Sequence, residues 1–489
     1  MKKSCPTKTY WENEGGIALF KVPCGRQGRK GRGMGKSEEK IDRLYDEFSN
    51  CIGAKWVSRR GPSLILKPRT AEEISTILKA ANRTATPVRP KGGGTGWWSS
   101  TRPPADGILL QLTRMNGVLA IDEEVMTVTV EAGITFTKLE EALGSKGYRV
   151  MIFPESGRTA TLGGHIQTWG TSPHTSSVYE DQATQIVGLT VVLPTGEIVP
   201  TGAGALTTAA GHLGRRFFPA DLTGLFLGSE GAFGIITEVS LKMYRQPEVS
   251  MTKIACFPDA QRALDALQSF QRAQRGGGIS TLVEQRLVPK EMLLAAIPRL
   301  KGSVPEASRY LLVLRTEGDR TDAQRHMAKA CHLCREQGGK VAAQDDFPEW
   351  WAGRFGSFPT AALGKGQRIM IVAMVPLGRM VEAFSIAEAF AKKMGLDLKL
   401  RGYPFGGPVL LAHASIPWEA GRPESRVEAL KQARELMEAL MGIGAVPHRV
   451  GTDFLPVLAE KLDPAYRDFV ERMKALLDPN GIMNAFSWR

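Results

Sequence analysis

Pro87-Val-Arg-Pro-Lys-Gly-Gly-Gly-Thr-Gly96 reads as an extended segment running straight into a glycine run. Consecutive glycines let backbone N–H groups converge on an anion with no Cβ atoms in the way, which makes a phosphate cradle. The spacing narrows its kind. No G-x-G-x-x-G fits, because Trp97 stands where the third glycine would be, and no glycine stands five residues before a Gly-Lys pair, as a P-loop requires. Nicotinamide-type Rossmann and P-loop architectures are therefore disfavoured. A run like this can also be a mere turn. Two more small-residue stretches, Pro154-Glu-Ser-Gly-Arg-Thr-Ala-Thr-Leu-Gly-Gly-His-Ile-Gln-Thr-Trp-Gly170 and Asp221-Leu-Thr-Gly-Leu-Phe-Leu-Gly-Ser-Glu-Gly-Ala-Phe-Gly-Ile-Ile-Thr237, suggest one extended ligand crossing several loops.

Around these loops the periodicity is that of an α+β protein without regular βαβ winding. Residues 62–68 read as a short buried strand, and Thr70 caps a helix with Glu72 and Glu73 in its first turn and Ile74, Ile77, Leu78 and Ala81 on one face. Strands are expected at 108–112, 118–121, 126–131 and 187–193, and a helix at 136–146. After Pro247 strands and helices alternate: strands at 253–257, 279–284, 310–315, 369–375 and 409–415, helices after Asp259 and at 322–338, 380–393 and 424–441. A chain of 489 residues exceeds what one core supports, so a second lobe is expected from this point.

Composition excludes several classes. No apolar run approaches the roughly 18 residues that span a bilayer, and the positive start lacks the apolar segment of a secretory signal, so a cytoplasmic protein is expected. Six scattered cysteines make no disulfide framework, and the lone Cys331-x-x-Cys334 lacks a second pair to complete a metal site. About half of the net charge of +13 sits in residues 1–36, where nine Lys or Arg face only Glu12 and Glu14. This basic extension reads as a solvated tail or as a docking arm for an acidic subunit or membrane surface. Nothing suggests nucleic-acid binding.

Taken together, Pro87–Gly96, Leu112-Thr-Arg-Met-Asn116, Val128-Thr-Val-Glu-Ala-Gly133, Thr161-Leu-Gly-Gly164, Gly188-Leu-Thr-Val-Val-Leu-Pro-Thr-Gly-Glu197, Leu227–Thr237 and Leu477-Asp-Pro-Asn-Gly-Ile-Met-Asn484 resemble the FAD-linked oxidase family with the vanillyl-alcohol-oxidase (PCMH-type) fold. Within it, the match is to the glycolate oxidase FAD-subunit and D-lactate dehydrogenase branch. The resemblance implies a split, two-lobed FAD-binding domain (37–245), a central α/β cap with a mainly antiparallel sheet (246–455), and a C-terminal segment (456–489) returning to the flavin domain. It implies that Arg89, Pro90, Lys91, Gly92, Gly93, Gly94, Thr95 and Gly96 hold the pyrophosphate, and that Thr161, Gly163 and Gly164 line the flavin with His165 as a neighbour. Gly228, Ser229, Gly231 and Ile236 would contact the adenosine half, and Asn484 would lie near the ring. Thr95 stands where some relatives carry a histidine bonded to the flavin, so dissociable FAD is expected.

Relatives acting on 2-hydroxy acids carry motifs resembling G-H-x-G-D-G-N-L-H and E-H-G-I-G, with two histidines and a glutamate on a divalent metal beside a catalytic histidine. Here Phe405-Gly-Gly-Pro-Val-Leu-Leu-Ala-His413 keeps only the second histidine, and Pro447 replaces the glutamate before His448. No metal is expected, since one histidine does not hold one. His448 is then the candidate base, with a pKa near neutrality when unperturbed, and His413 its companion. Arg354, in a W-x-x-R, is the candidate for a substrate carboxylate, with Arg449 the runner-up. The implied activity is oxidation of an alcohol, foremost a 2-hydroxy carboxylate, with electrons passing to an iron–sulfur subunit, an electron-transfer flavoprotein or a quinone. Alternatives are a metal-free phenolic or alcohol oxidase, a non-redox FAD enzyme, and a silent electron-relay or assembly subunit.

Overall fold

The computed structural model describes residues 36–96, 103–174, 176–179, 182–209, 211–216, 220–342, 347–356, 367–405 and 407–484. The basic extension up to residue 35, together with Trp97 and Gly406, lies outside them. Thr70 acts as its position predicts: its hydroxyl accepts the Glu73 N–H at 3.2 Å and starts the helix Ala71–Arg83, whose Ile74, Ile77, Leu78 and Ala81 are buried. Asp259 does the same for Ala260–Arg275, accepting the Arg262 N–H at 2.9 Å.

The first half of the chain builds two sheets. Strands β1 (Val57–Arg60), β2 (Ser63–Leu66), β3 (Val88–Lys91) and β4 (Ile108–Gln111) lie in the order β1-β2-β4-β3, with β2 and β3 both parallel to β4. Strands β5 (Val118–Asp122), β6 (Thr127–Glu131), β8 (Ile186–Val192), β9 (Ile198–Pro200) and β10 (Ile235–Lys242) form an antiparallel sheet in the order β5-β6-β10-β8-β9. Separately, β7 (Tyr148–Arg149) pairs with β11 (Tyr244–Arg245) in a two-stranded ribbon. The chain's end comes back to the first sheet: the Val88 N–H donates to the Ile482 carbonyl at 2.7 Å, and Val88 bridges Met483 in parallel.

Strands β12 (Val249–Phe257), β13 (Leu282–Pro289), β14 (Tyr310–Gly318), β15 (Lys340–Val341), β16 (Gln367–Pro376), β17 (Arg401–Pro404), β18 (Val409–Trp418) and β19 (Val446–Pro447) make one antiparallel sheet, ordered β15-β12-β14-β13-β17-β18-β16-β19. Its two faces differ because strand side chains alternate. Leu287, Leu312, Leu314, Ile371, Ala373, Leu410 and Ala412 point to one side, where the helices Ala260–Arg275, Arg320–Glu336, Met380–Met394 and Pro423–Gly442 cover them. Cys331 and Cys334 belong to this helix-side core, and burial pushes both thiols up, which argues for packing rather than redox use. The other face carries charged side chains on β13, β14 and β17. The strand expected at 279–284 instead runs to Pro289, and β17 had no sequence signal, because Arg-Gly-Tyr-Pro reads as a turn. No described helix is long and apolar enough to cross a membrane.

Candidate active site

At the end of β3 the glycine run lies directly on the second small-residue loop. A Cβ on Gly92 would stand 2.0 Å from Thr161 Oγ1, and one on Gly93 1.8 Å from the Thr159 carbonyl oxygen. These glycines are therefore required by loop-on-loop packing, a stricter reason than ligand approach alone. Gly163 repeats the device against the Ala132 side chain at 2.6 Å. The third loop closes on the other two: Gly228 and Gly231 have φ of 67° and 80°, and Cβ atoms there would meet Trp169 and Pro90. Gly164 lies near the Gly92 backbone, and Gly94 is left-handed at φ 75° beside the Lys91 side chain; Thr95 and Gly96 continue from it, half-buried.

Two expected contacts change character. The Ser229 hydroxyl donates to the Phe226 carbonyl at 2.9 Å, and the Ile236 side chain packs in the core, so both can offer a nucleotide chiefly backbone. Arg89 Nε donates to Asn484 Oδ1 at 2.9 Å, and Asn484 Nδ2 to the Glu230 carbonyl at 2.6 Å, which ties the chain's end to two of the three loops. Inside this cradle Thr161 Oγ1 and His165 Nε2 are buried without a hydrogen-bond partner. Buried polar atoms are ordinarily satisfied, so two open polar edges beside the packed glycine loops suit a polar cofactor such as FAD.

Opposite it stands the charged face of the cap. Arg286, 2% exposed, donates through Nη1 to Glu155 Oε1 at 2.8 Å and lies 3.3 Å from Glu284 through Nε. The same Glu155, from the loop before Thr161, reaches Arg401 Nη2 at 3.5 Å. Burial would raise the Glu155 carboxyl, but Arg401 and Arg286 hold it below the usual range. Glu284 accepts from Trp350 Nε1 at 3.0 Å and meets His174 Nδ1 at 3.1 Å, while Arg315 and Arg149 share Glu317. Glu155, Arg286, Arg401, Tyr403, His413 and Thr171 line a small cavity between the lobes.

Register places the histidines. Arg401 is opposite His413, His413 is opposite Val372, and the His448 N–H donates to the Val372 carbonyl at 2.8 Å, so one row crosses β17, β18 and β16 and ends at His448. His413 Nε2 lies 3.1 Å from the Tyr403 hydroxyl, and burial followed by the charge of Arg401 takes its pKa well below the ordinary value. The His448 ring bonds to the Trp169 carbonyl and packs edgewise on Phe405, with centroids 5.3 Å apart, leaving Nε2 buried without a partner. Burial, then Arg449, pushes its pKa down to about 3, in place of the near-neutral value expected from sequence. The same two causes, in the same order, bring His165 to about 3.

Thus His448, His413 and Arg449 come together, with His165 near Arg449 from the helix that starts after Thr161. Arg354 does not join them. Its guanidinium pairs with Glu140, donates to the Trp351 carbonyl at 2.7 Å and stacks on the Trp351 ring 4.2 Å from its centroid, so its charge is used within the chain. Sequence reasoning missed Glu155, Arg286, Arg401 and Tyr403. The available signal was the i, i+2 pattern Glu284/Arg286, Arg315/Glu317 and Arg401/Tyr403 on strands already apolar on their other face. Among the described residues no three His, Cys, Asp or Glu side chains are grouped so as to hold a metal ion.

Residues 62–202 match the FAD binding domain model and residues 246–486 the C-terminal domain of FAD linked oxidases. The glycolate oxidase subunit GlcD of Bacillus subtilis is 27% identical over 441 residues, covering 86% of this chain and 88% of that protein. The mitochondrial D-lactate dehydrogenase [cytochrome] of Arabidopsis thaliana is 27% identical over 433 residues, covering 86% and 72%. Among solved structures, 4-ethylphenol oxidase from Gulosibacter chungangensis superposes with a TM-score of 0.77 at 20% identity over 92% of this chain and 97% of that one. Substrate-bound p-cresol methylhydroxylase gives 0.78 at 16% identity over 92% and 98%. At these identities the two structures speak for the PCMH-type fold alone.

Proposed function

Because the chain belongs to the FAD-linked oxidase and dehydrogenase family and takes FAD as its cofactor, we propose that it oxidises the alcohol carbon of a 2-hydroxy carboxylate, with bound FAD supplying the hydride acceptor. The observation that carries this reading is His448 Nε2, a buried acceptor without a partner, beside Arg449 and across from the flavin loops. With its pKa pushed down to about 3, His448 is neutral at working pH and its lone pair is free to take the hydroxyl proton. A substrate carboxylate beside Arg449 offsets part of the charge that weakens this base, so His448 becomes more basic as substrate binds. Arg449 takes the role first given to Arg354.

Residues 89–96 would hold the pyrophosphate and Thr161, Gly163, Gly164 and His165 the flavin. Gly228, Ser229, Gly231 and Ile236 would meet the adenosine half through backbone, with Asn484 near the ring. We divide the chain accordingly into a flavin domain over 37–245, a cap over 246–455 and a returning segment over 456–489. Electrons leave to an iron–sulfur subunit, an electron-transfer flavoprotein or a quinone, since the scattered cysteines do not make a cluster site. We place the protein in the cytoplasm, meeting a membrane only through such a partner. An anaerobic screen of hydroxy acids and phenols, read by flavin bleaching, tests the reading. Bleaching by a 2-hydroxy acid supports it; bleaching by phenols alone moves the chemistry to a phenolic oxidase. A flavin that no donor bleaches, yet accepts electrons from a partner, makes the chain a relay.

A further inference from the structure

The cap sheet has two unlike halves on the face away from its helices. Strand alternation puts Met370, Val372 and Met374 of β16 on that face together with Leu411 and His413 of β18 and Tyr403 of β17. Toward β13 and β14 the face is charged, and Glu155, Arg149 and His174 from the first half of the chain meet it there. Toward β16 it is apolar. Val372, Tyr403 and Leu411 form a cluster separate from the helix-side core, with Met370, Met374 and Phe405 packed on it and only half-buried. Half-buried large apolar side chains over a buried apolar floor are the surface a ligand groove presents to an apolar group. His448 shows to what this floor belongs. Its ring packs edgewise on Phe405 with centroids 5.3 Å apart, its N–H donates to the Val372 carbonyl at 2.8 Å, and its Nε2 is buried without a partner. The apolar floor therefore borders the imidazole proposed to receive the hydroxyl proton.

We propose that this apolar half is the subsite for the substrate's side chain, and that the substrate is a 2-hydroxy carboxylate with a branched or aromatic apolar side chain rather than glycolate or lactate. This rests on the hydroxy-carboxylate reading above. A hydroxyl within the roughly 3 Å that proton transfer to Nε2 requires brings its carbon beside the Phe405 ring, and the atoms beyond it can cover the floor of Val372 and Leu411. Met370 and Met374 suit several shapes, since an unbranched, polarisable thioether fills irregular gaps and contacts rings favourably. Tyr403 closes the subsite toward the charged half: its ring belongs to the apolar cluster, while its hydroxyl lies 3.1 Å from His413 Nε2. A side chain ending in a second carboxylate would bury that charge on an apolar floor without a hydrogen-bond partner, so 2-hydroxy diacids are disfavoured.

The test uses the FAD-loaded full chain. Acetate, butyrate and 4-methylpentanoate, which have no hydroxyl to oxidise, each give a Kd from the perturbation of flavin absorbance, and lactate and 2-hydroxyisocaproate give second-order rates of anaerobic flavin reduction. Each buried carbon is expected to tighten binding about fourfold, so 4-methylpentanoate should bind about 10²-fold more tightly than acetate. By the same increments 2-hydroxyisocaproate should reduce the flavin about tenfold or more faster than lactate. Met374→Gln, of similar length, is expected to lower the ratio of the 2-hydroxyisocaproate rate to the lactate rate about tenfold, whereas a merely structural role would slow both acids together. A Kd that does not fall with chain length, or a Met374→Gln variant that keeps the parent's ratio, overturns the inference and leaves the proposed activity standing. If Kd falls with chain length but no hydroxy acid bleaches the flavin, the apolar subsite stands and the oxidation reading falls. Should Met374→Gln fail to load FAD, the parent's Kd series and rate ratio still decide.

Discussion

The glycine-rich loops proposed to hold the flavin and the charged face of the cap sheet are built from opposite materials. On the flavin side, Gly92, Gly93 and Gly163 remove side chains so that backbone can approach backbone, with contacts no Cβ would permit. On the cap side, Arg286, Arg401 and Glu284 fill the space with buried charge, kept tolerable by one another and by Glu155, which reaches in from the loop before Thr161. One region is specified locally, within three short stretches of sequence. The other is specified by strand register, which places Arg286 and Arg401 around one cavity, with Glu155 brought to it by the loop before Thr161. The two should therefore fail differently when altered.

Gly93→Val gives the largest effect on the flavin side. The new side chain would meet the Thr159 carbonyl, so the two loops must part, and the variant should purify without FAD, measured as bound flavin per chain after gel filtration. A yellow, fully loaded variant would mean that the glycine run is only a linker. On the cap side the matching change is Arg286→Met. It leaves Glu155 to Arg401 alone and Glu284 without its arginine, and denaturant unfolding should show a loss of about 3–5 kcal/mol. A loss under about 1 kcal/mol would show that the cluster is solvated rather than buried.

A smaller effect separates the regions by pH. His448 and His165 are buried and neutral, with folded pKa values of about 3. The unfolded chain takes up protons on them below about pH 6.5, while the folded chain does not until about 3. Their contribution to stability is thus complete above about pH 6.5 and declines as pH falls toward 3, by up to about 1.4 kcal/mol per unit for each. In the FAD-free protein, His448→Asn should remove its share of that slope, and an unchanged slope would place the ring in water. The smallest expected effect is none: chelators should leave flavin reduction unchanged, because Pro447 stands where relatives carry a glutamate ligand. Stoichiometric metal in the purified protein would contradict that.

The comparison also explains what the sequence could tell. Helix caps at Thr70 and Asp259, most strands and the three glycine-rich loops were legible, because each is encoded by neighbours a few residues apart. His448 and His413 were legible only as motif remnants, and their coupling needed the row from Arg401 to Val372. Arg354 was legible only as part of a W-x-x-R, which says nothing of Glu140, the partner 214 residues away that takes its charge. Arg286 and Tyr403 were passed over for a related reason. A charged residue alternating with apolar ones normally faces water, and only the docked flavin domain turns that face inward.

The account stands on His448 as the group that receives the substrate's proton. The direct measurement is the rate of flavin reduction, by anaerobic rapid mixing, for the parent and His448→Asn with the hydroxy acid that bleaches the parent fastest. Loss of a general base should slow the variant by about 10²-fold or more, while the substrate's dissociation constant changes little, because Arg449 still holds the carboxylate. A variant that reduces its flavin at the parent rate would place the proton transfer on another residue.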